Sequence, residues 1–177
     1  IKKNKNLFVE KPICISYKEL EKIIDEYSKN KNIKISSNLL LRQHPLFLEI
    51  KNKIKQNQLG DIYHVEGDYN YGRLQKLTNG WRGDIPFYSV MHGGGLHLID
   101  LITWLKKIKV KSVVSMSNKI VSLNTNFKHD DFKTAFLKFE DDSTAKINAN
   151  FGCVLPHSHD LKVFGKKGSF LYNFNKG

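Results

Sequence analysis

Three features of this 177-residue sequence predict an α+β protein, with the tail of a doubly wound α/β domain over residues 1–37 and an open, mainly antiparallel mixed β-sheet with helices on one face over residues 38–177. The first is a strand, helix, strand succession near the start, the repeating unit of a parallel sheet. The second is a series of short strands and turns from Val110 onward, the pattern of antiparallel pairing. The third is one strongly apolar helix, led by glycines, between the two.

Each element has a local reason. NLFVEKP (6–12) reads as a short strand, Leu7 to Val9, stopped by Pro12, which has no N–H to give a ladder. Ser16 and Glu19 in SYKE form a capping box, and Leu20, Ile23, Ile24 and Tyr27 follow at helical spacing, so an amphipathic helix is expected to about Lys29. IKISS (33–37) is the second strand. The next helix opens with Pro45 at its first position, is expected to bury Leu46, Phe47, Ile50 and Ile54, and is closed by Gly60. IYHVEGDYNYG (62–72) alternates polar and apolar residues and so has one polar face. Residues 73–90 carry no periodicity, a long loop of the kind that often holds function. A helix over 95–107 comes next, then strands at 110–118, 132–141, 144–152, 159–165 and 169–174, expected to follow one another as a meander.

Composition narrows the classes. The net charge of +12 admits nucleic acid, an anionic surface or a phosphorylated substrate as partner. The basic residues are mostly scattered lysines, and clusters such as 51–55, 106–111 and 165–168 lack the arginines and interleaved aromatics of a nucleic-acid face, so a compositional habit is the better reading and neither nucleic acid nor membrane is expected as partner. No run of eighteen apolar residues and no signal-peptide core is present, which makes the cytoplasm the default. The chain opens at Ile1 directly into a strand, so it reads as a piece of a longer protein. Cys14 and Cys153, far apart and without a CxxC spacing, are expected to be reduced, buried thiols.

The chemistry concentrates in HGGGLHLIDLITWL (92–105). His97 and Asp100 lie three residues apart on one helical face, with Trp104 a turn further on. A buried ionised carboxylate needs a partner. A histidine near neutral pKa is the usual base for an alcohol proton. The alternative is a satisfied interface histidine with Asp100 bridged to an arginine, and residue types alone leave both open. The glycines admit close approach of backbone or ligand, and free amides at the helix start would favour an anionic or hydroxyl-rich ligand. Lys11, at the mouth of a parallel-type strand, could hold a substrate oxygen, and Pro12 is a candidate cis-proline; alone, Lys11 reads as a surface lysine. Tyr71, Arg73, Trp81, Arg82 and Asp84 form an aromatic and basic group suited to a sugar ring or a phosphate. PHSHD (156–160) holds an H-x-H pair with no third ligand at a recognisable spacing, so no metal site is expected.

In order along the chain, VEKPICIS with the helix YKELEKIIDEY, Arg42 ahead of a helix, LGDIYHVEGDY, WRGD, the glycine loop before HLIDLITWL, and LKVFGKKGSF resemble the Gfo/Idh/MocA family of nicotinamide-dependent sugar oxidoreductases. The resemblance spans nearly the whole chain, and its ordered set is more specific than any one motif. It implies a C-terminal portion of such an enzyme: residues 1–37 as the end of a Rossmann-like dinucleotide-binding domain, and 38–177 as an open-faced sheet for substrate binding and for a homodimer or homotetramer. The implied reaction is hydride transfer between NAD or NADP and a hydroxyl or carbonyl carbon of a sugar or nucleotide-sugar. Lys11 then contacts the reacting hydroxyl and His97 is the acid/base. Asp100, His92, Arg82, Trp81, Arg73 and Tyr71 serve the substrate, and Glu10, Lys11 and Pro12 touch the cofactor. The net charge, with Arg73 and Arg82, favours a phosphorylated or nucleotide-linked substrate over a free polyol.

One position departs from the pattern. Many members carry an aspartate four residues before the histidine, and here that residue is Gly93, with His92 beside it. No GxGxxG follows a strand, so this piece alone is expected to bind NAD poorly and to be inactive. Gly93 also motivates a second expectation, a non-catalytic ligand-binding or dimerisation module, and the charge a third, nucleic-acid binding.

Overall fold

The first strand is short because Pro12 cannot extend a ladder: β1 (Leu7–Val9) pairs in parallel with β2 (Ile35–Ser37), and α1 (Tyr17–Ser28) connects them. The computed structural model describes residues 3–173 and divides into two units, Ile1–Leu40 and Leu41–Gly177. In the first, Ser16 Oγ accepts from the Glu19 amide at 3.3 Å, as expected, while Glu19 Oε2 accepts from the Ile15 amide at 2.9 Å, one residue before the N-cap amide of a strict capping box. The bond between Lys11 and Pro12 is cis.

The second unit is built on a six-stranded sheet in the order β4, β5, β6, β3, β7, β8, with β3 at Ile62–Asn70, β4 at Val110–Asn118, β5 at Phe132–Phe139, β6 at Thr144–Asn150, β7 at Ser158–Gly165 and β8 at Ser169–Tyr172. The sheet is mainly antiparallel and mixed, as expected, but it is not a simple meander. β3 lies between β6 and β7, parallel to the first and antiparallel to the second. Asn70 is opposite both Asn150 and Ser158, so residues 151–157 must pass over the C-terminal end of β3. Sequence order alone could not show this, since β3 precedes its two neighbours by some seventy residues or more. Gly72, at φ 59°, allows the crossing, because a Cβ there would stand 1.7 Å from the Leu155 carbonyl oxygen.

Other expectations need adjustment. Helix α2 (Pro45–Lys55) buries Phe47 and Ile50, but Leu46 faces outward and Ile54 is only partly covered. Asn57, at φ 56°, is the first left-handed residue beyond that helix, and Gly60, at φ 67°, is left-handed too. The segment 73–90 holds two single-turn helices, α3 (Gln75–Thr78) and α4 (Trp81–Asp84), too short to leave a periodicity. Both cysteines are free, but each is half-exposed, not buried. Phe174, the end of the last predicted strand, lies outside the described residues.

Helix α5 (Leu96–Lys106) follows a π-helical turn at Met91–Gly95 and lies on one face of the sheet. Leu98, Leu101, Ile102 and Leu105 are buried with Val65, Ala145, Ile147 and Ala149 of β3 and β6. Gly67 sets the approach: a Cβ on it would sit 3.3 Å from methyls of Leu98 and Ile102. Among the described residues no helix is long and apolar enough to cross a membrane.

The opposite face of β3 carries its polar residues, which pair with neighbouring strands. Glu66 accepts from Lys162 at 2.9 Å and lies 3.6 Å from Lys146 and His64. The Lys162 hydrogen bond, with help from Lys146, holds the Glu66 carboxyl below its usual value against a partial desolvation that pushes the other way. A depressed folded-state pKa stabilises above the unfolded value and loses that contribution as pH falls. Glu66→Gln is therefore expected to destabilise by about 1 kcal/mol at neutral pH. In thermal unfolding scans, the gap to wild type should narrow as pH drops below the unfolded carboxyl value of 4.5.

Candidate functional site

Each of the three glycines ahead of α5 vacates space for a named side chain. A Cβ on Gly93 would stand 2.0 Å from the Tyr88 hydroxyl, one on Gly94 would stand 2.2 Å from the Tyr69 ring, and one on Gly95 would meet the Met91 sulfur at 2.4 Å. The glycines thus admit protein side chains, not a ligand. The free helix start expected from the sequence is also absent. The π turn runs directly into α5, the Gly93 amide donates to Ser89 O at 2.8 Å, and the Leu96 amide to Met91 O.

The consequence is an aromatic nest around His97. Its side chain is 5% exposed and its ring stacks against Tyr69 at 6.3 Å and 20°. Tyr69 is opposite His159 in the β3–β7 register, so both point to the helix face of the sheet. Their rings meet edge to face at 4.9 Å, with His157 5.1 Å from Tyr69 and 5.0 Å from His159. His97 and His159 are 5.9 Å apart, also edge to face. The H-x-H pair therefore belongs to the His97 site. Among the described residues no three His, Cys, Asp or Glu are grouped to hold a metal ion.

Asp100 has the partner its burial demanded. Arg42 donates from Nε to Oδ2 at 2.8 Å and from Nη2 to Oδ1 at 2.5 Å, a bidentate pair that raises the guanidinium pKa further. The carboxylate is thus neutralised within the fold, which matches the arginine-bridge alternative for this residue. Lys51 lies 3.2 Å over the Trp104 ring and donates to the Trp104 carbonyl, covering the next turn of α5; burial, with Lys107 and Arg42 nearby, lowers its pKa.

Tyr71, beside Phe151 at 4.6 Å, is buried two residues beyond Tyr69 on the same face, and Arg73 reaches back over it at 5.7 Å. Arg82 lies 4.5 Å over the Trp81 ring, whose residue is 61% exposed. Tyr71, Tyr88, Arg82 and Arg73 all act electrostatically on Tyr69. Burial raises the Tyr69 phenol well above its usual range, with Tyr71 and Tyr88 adding to the effect and Arg82 and Arg73 opposing it. Burial also raises Tyr88, and Arg82 offsets part of that. The guanidinium reaches the Tyr88 hydroxyl at a geometry short of a well-formed hydrogen bond, and the hydroxyl is buried. His92 is half-buried and stands edge-on to Phe87 at 6.0 Å.

Of the residues singled out in the sequence, His97, Tyr71, Arg73 and Arg82 meet at this site, with Trp81 at its outer edge under Arg82. Glu10, Lys11 and Pro12 belong to the first unit, at the C-terminal end of β1, where Asn38 Nδ2 donates to Glu10 Oε1 at 2.8 Å. Tyr69 and Tyr88 escaped the sequence reading as site residues. Tyr69 could have been found, since the alternation of β3 puts it on the face of Tyr71; Tyr88 sits in an aperiodic segment and gave no signal.

The fold has known counterparts. The myo-inositol 2-dehydrogenase of Lactobacillus plantarum superposes with a TM-score of 0.87 at 18% identity, covering 94% of this chain and 50% of that one. The scyllo-inositol dehydrogenase of Lactobacillus casei, solved with NAD(H) and scyllo-inositol, gives 0.83 at 17%, covering 96% and 50%. In sequence, the uncharacterized oxidoreductase YhhX of Escherichia coli (strain K12) is 27% identical over 167 residues, covering 94% of this chain and 46% of that one. The chain thus spans about half the length of these relatives. What they share with this chain is the fold, an α+β architecture on a mainly antiparallel sheet. The GFO/IDH/MocA C-terminal domain model matches residues 47–171, and the chain belongs to that family.

The glycine contacts generate a graded prediction. Gly94→Ala should destabilise by about 1–3 kcal/mol, because Tyr69 is wedged among rings and cannot retreat. Gly95→Ala should be milder, because the thioether of Met91 can swing aside. Equal losses of stability in denaturant titrations would contradict this ordering.

Proposed function

We propose that this chain is the substrate-binding portion of an oxidoreductase that transfers hydride between NAD or NADP and a hydroxyl or carbonyl carbon of a sugar, polyol or nucleotide-sugar. The observation that carries the reading is the buried His97, stacked on Tyr69 within a wall of phenols, guanidinia and histidines, in a chain of the GFO/IDH/MocA family. His97 takes the hydroxyl proton in oxidation and returns it in reduction. Tyr69 fixes the plane of its ring. Asp100, tied to Arg42, orients the helix that carries the histidine. Arg73, Arg82, Tyr71, Trp81 and His92 line the substrate side. A bound nicotinamide supplies the hydride acceptor. The lysine and the strand-end backbone at Glu10, Lys11 and Pro12 would hold the nicotinamide end of such a cofactor, as a strand end of an α/β unit can. The sequence has no GxGxxG to hold the diphosphate, so that role falls to other residues of the intact protein.

We also assign the polar sheet face to a homodimer or homotetramer in the cytoplasm. Val114 and Phe136, opposite one another on β4 and β5, are exposed there, and Met116 is exposed two residues along. A second reading, a ligand-binding or dimerisation module without chemistry, is favoured by Gly93, which leaves His97 without a carboxylate one turn earlier.

Two measurements follow. In the intact protein, His97→Ala should lower turnover of scyllo-inositol or myo-inositol with NAD or NADP by roughly 100- to 10,000-fold, with circular dichroism unchanged. Equal kinetics for variant and wild type would remove His97 from the reaction, whereas any wild-type hydride transfer would remove the non-catalytic module. Val114→Glu should shift the sedimentation coefficient toward the monomer, and an unchanged assembly would exclude this face as the interface.

A further inference from the structure

The His97 site brings together two guanidinia that form no ion pair among the described residues. Asp100, the carboxylate on the His97-bearing helix, is already paired with Arg42. Position 93, one turn before His97, holds no side chain, and the space a side chain would take is filled by the Tyr88 hydroxyl, on a residue 9% exposed. Burial raises that phenol, so it stays neutral.

Arg82 is half-buried and Arg73 exposed, and neither forms an ion pair among the described residues. Their described neighbours are phenols and an indole: Tyr71 beneath Arg73, Trp81 beneath Arg82, and Tyr69 and Tyr88 within electrostatic reach. Three histidines complete the wall, His97, His157 and His159. Of the nearby acids, Asp131 lies buried behind Phe151 with Oδ2 accepting from the Ser122 amide at 2.6 Å, and two others are directed elsewhere. Asp84 shares the short helix with Arg82 but is exposed and forms no ion pair among the described residues. Asp160 follows His159 on β7 and so lies on the other face of the sheet, opposite Asp68.

A half-buried guanidinium with no carboxylate partner among the described residues has donors to offer a ligand, and their planar arrangement matches carboxylate and phosphate oxygens. We infer that this site takes a polyol or sugar bearing an anionic group, a carboxylate or a phosphate, with Arg82 and Arg73 holding the anion while His97 faces the reacting hydroxyl. The inference rests on the dehydrogenase reading given above and narrows it to charged substrates.

The test compares matched pairs in the intact protein with NAD and with NADP: glucose against glucuronate, and myo-inositol against myo-inositol 1-phosphate. We expect kcat/KM to be at least tenfold higher for the charged member of one pair, the pair itself distinguishing carboxylate from phosphate. Added salt should raise KM for that member. Arg82→Gln should lower the charged-to-neutral ratio at least tenfold, and Arg82→Lys should retain part of it. Equal kcat/KM within both pairs, or a ratio unchanged in Arg82→Gln, overturns the inference and leaves the dehydrogenase standing. No turnover of any of the four compounds by wild type overturns both.

Discussion

The candidate site depends on how closely residues 91–106 lie on the sheet. Gly67 lets Leu98 and Ile102 settle onto β3, and Gly94 lets the π turn settle over the Tyr69 ring. A methyl group at Gly94 would lift the turn, on which His97 rides, and one at Gly67 would press on the methyls of Leu98 and Ile102. The stack of Tyr69 on His97 is thus an outcome of backbone approach, not of any attraction between the two rings alone, which is worth only about 1 kcal/mol beyond burial. The π turn has the same logic: its wider winding presents three small residues in succession to three different neighbours, and such turns are frequent at functional sites.

Given that approach, topology does the rest. The site draws on chain segments far apart in sequence: Tyr69 and Tyr71 on β3, His97 on α5, Phe151 after β6, and His157 and His159 at β7. They converge because β3 stands between β6 and β7 and the connection over 151–157 must cross its end. A true meander would have paired β6 with β7 and carried the two histidines away from Tyr69. The helix face of β3 is therefore committed to the site and core, while its other face, with Glu66 between two lysines, is polar.

Much of this was legible in the sequence. The capping box at Ser16, the two-faced alternation of residues 62–72 and the apolar run of α5 fixed local structure by themselves, because each pattern has one backbone conformation that satisfies it. His97, Tyr71, Arg73 and Arg82 were visible as residue types in suggestive places. What could not be read was partnership across distance. Nothing near Asp100 in sequence announces Arg42, fifty-eight residues away. The H-x-H pair looked like an isolated motif because its neighbour, Tyr69, lies in another strand. Tyr88 was invisible for a third reason: its role is defined by what position 93 lacks, and an absence leaves no pattern until the fold brings the hydroxyl into the gap.

The same absence separates this chain from the family pattern noted in its sequence. A carboxylate at position 93 would compete with Tyr88 for one volume, since its Cβ alone would overlap the hydroxyl. The two cannot coexist without moving the tyrosine, so Gly93 and Tyr88 form a matched pair. That pairing changes the electrostatics more than the shape. A neutral phenol replaces what would be an anion, and with Asp100 spent on Arg42 the positive potential of Arg73 and Arg82 goes unopposed by any described ion pair. Loss of the carboxylate is thus compatible with chemistry at His97. It moves the demand for a counter-charge from the protein to whatever the protein binds.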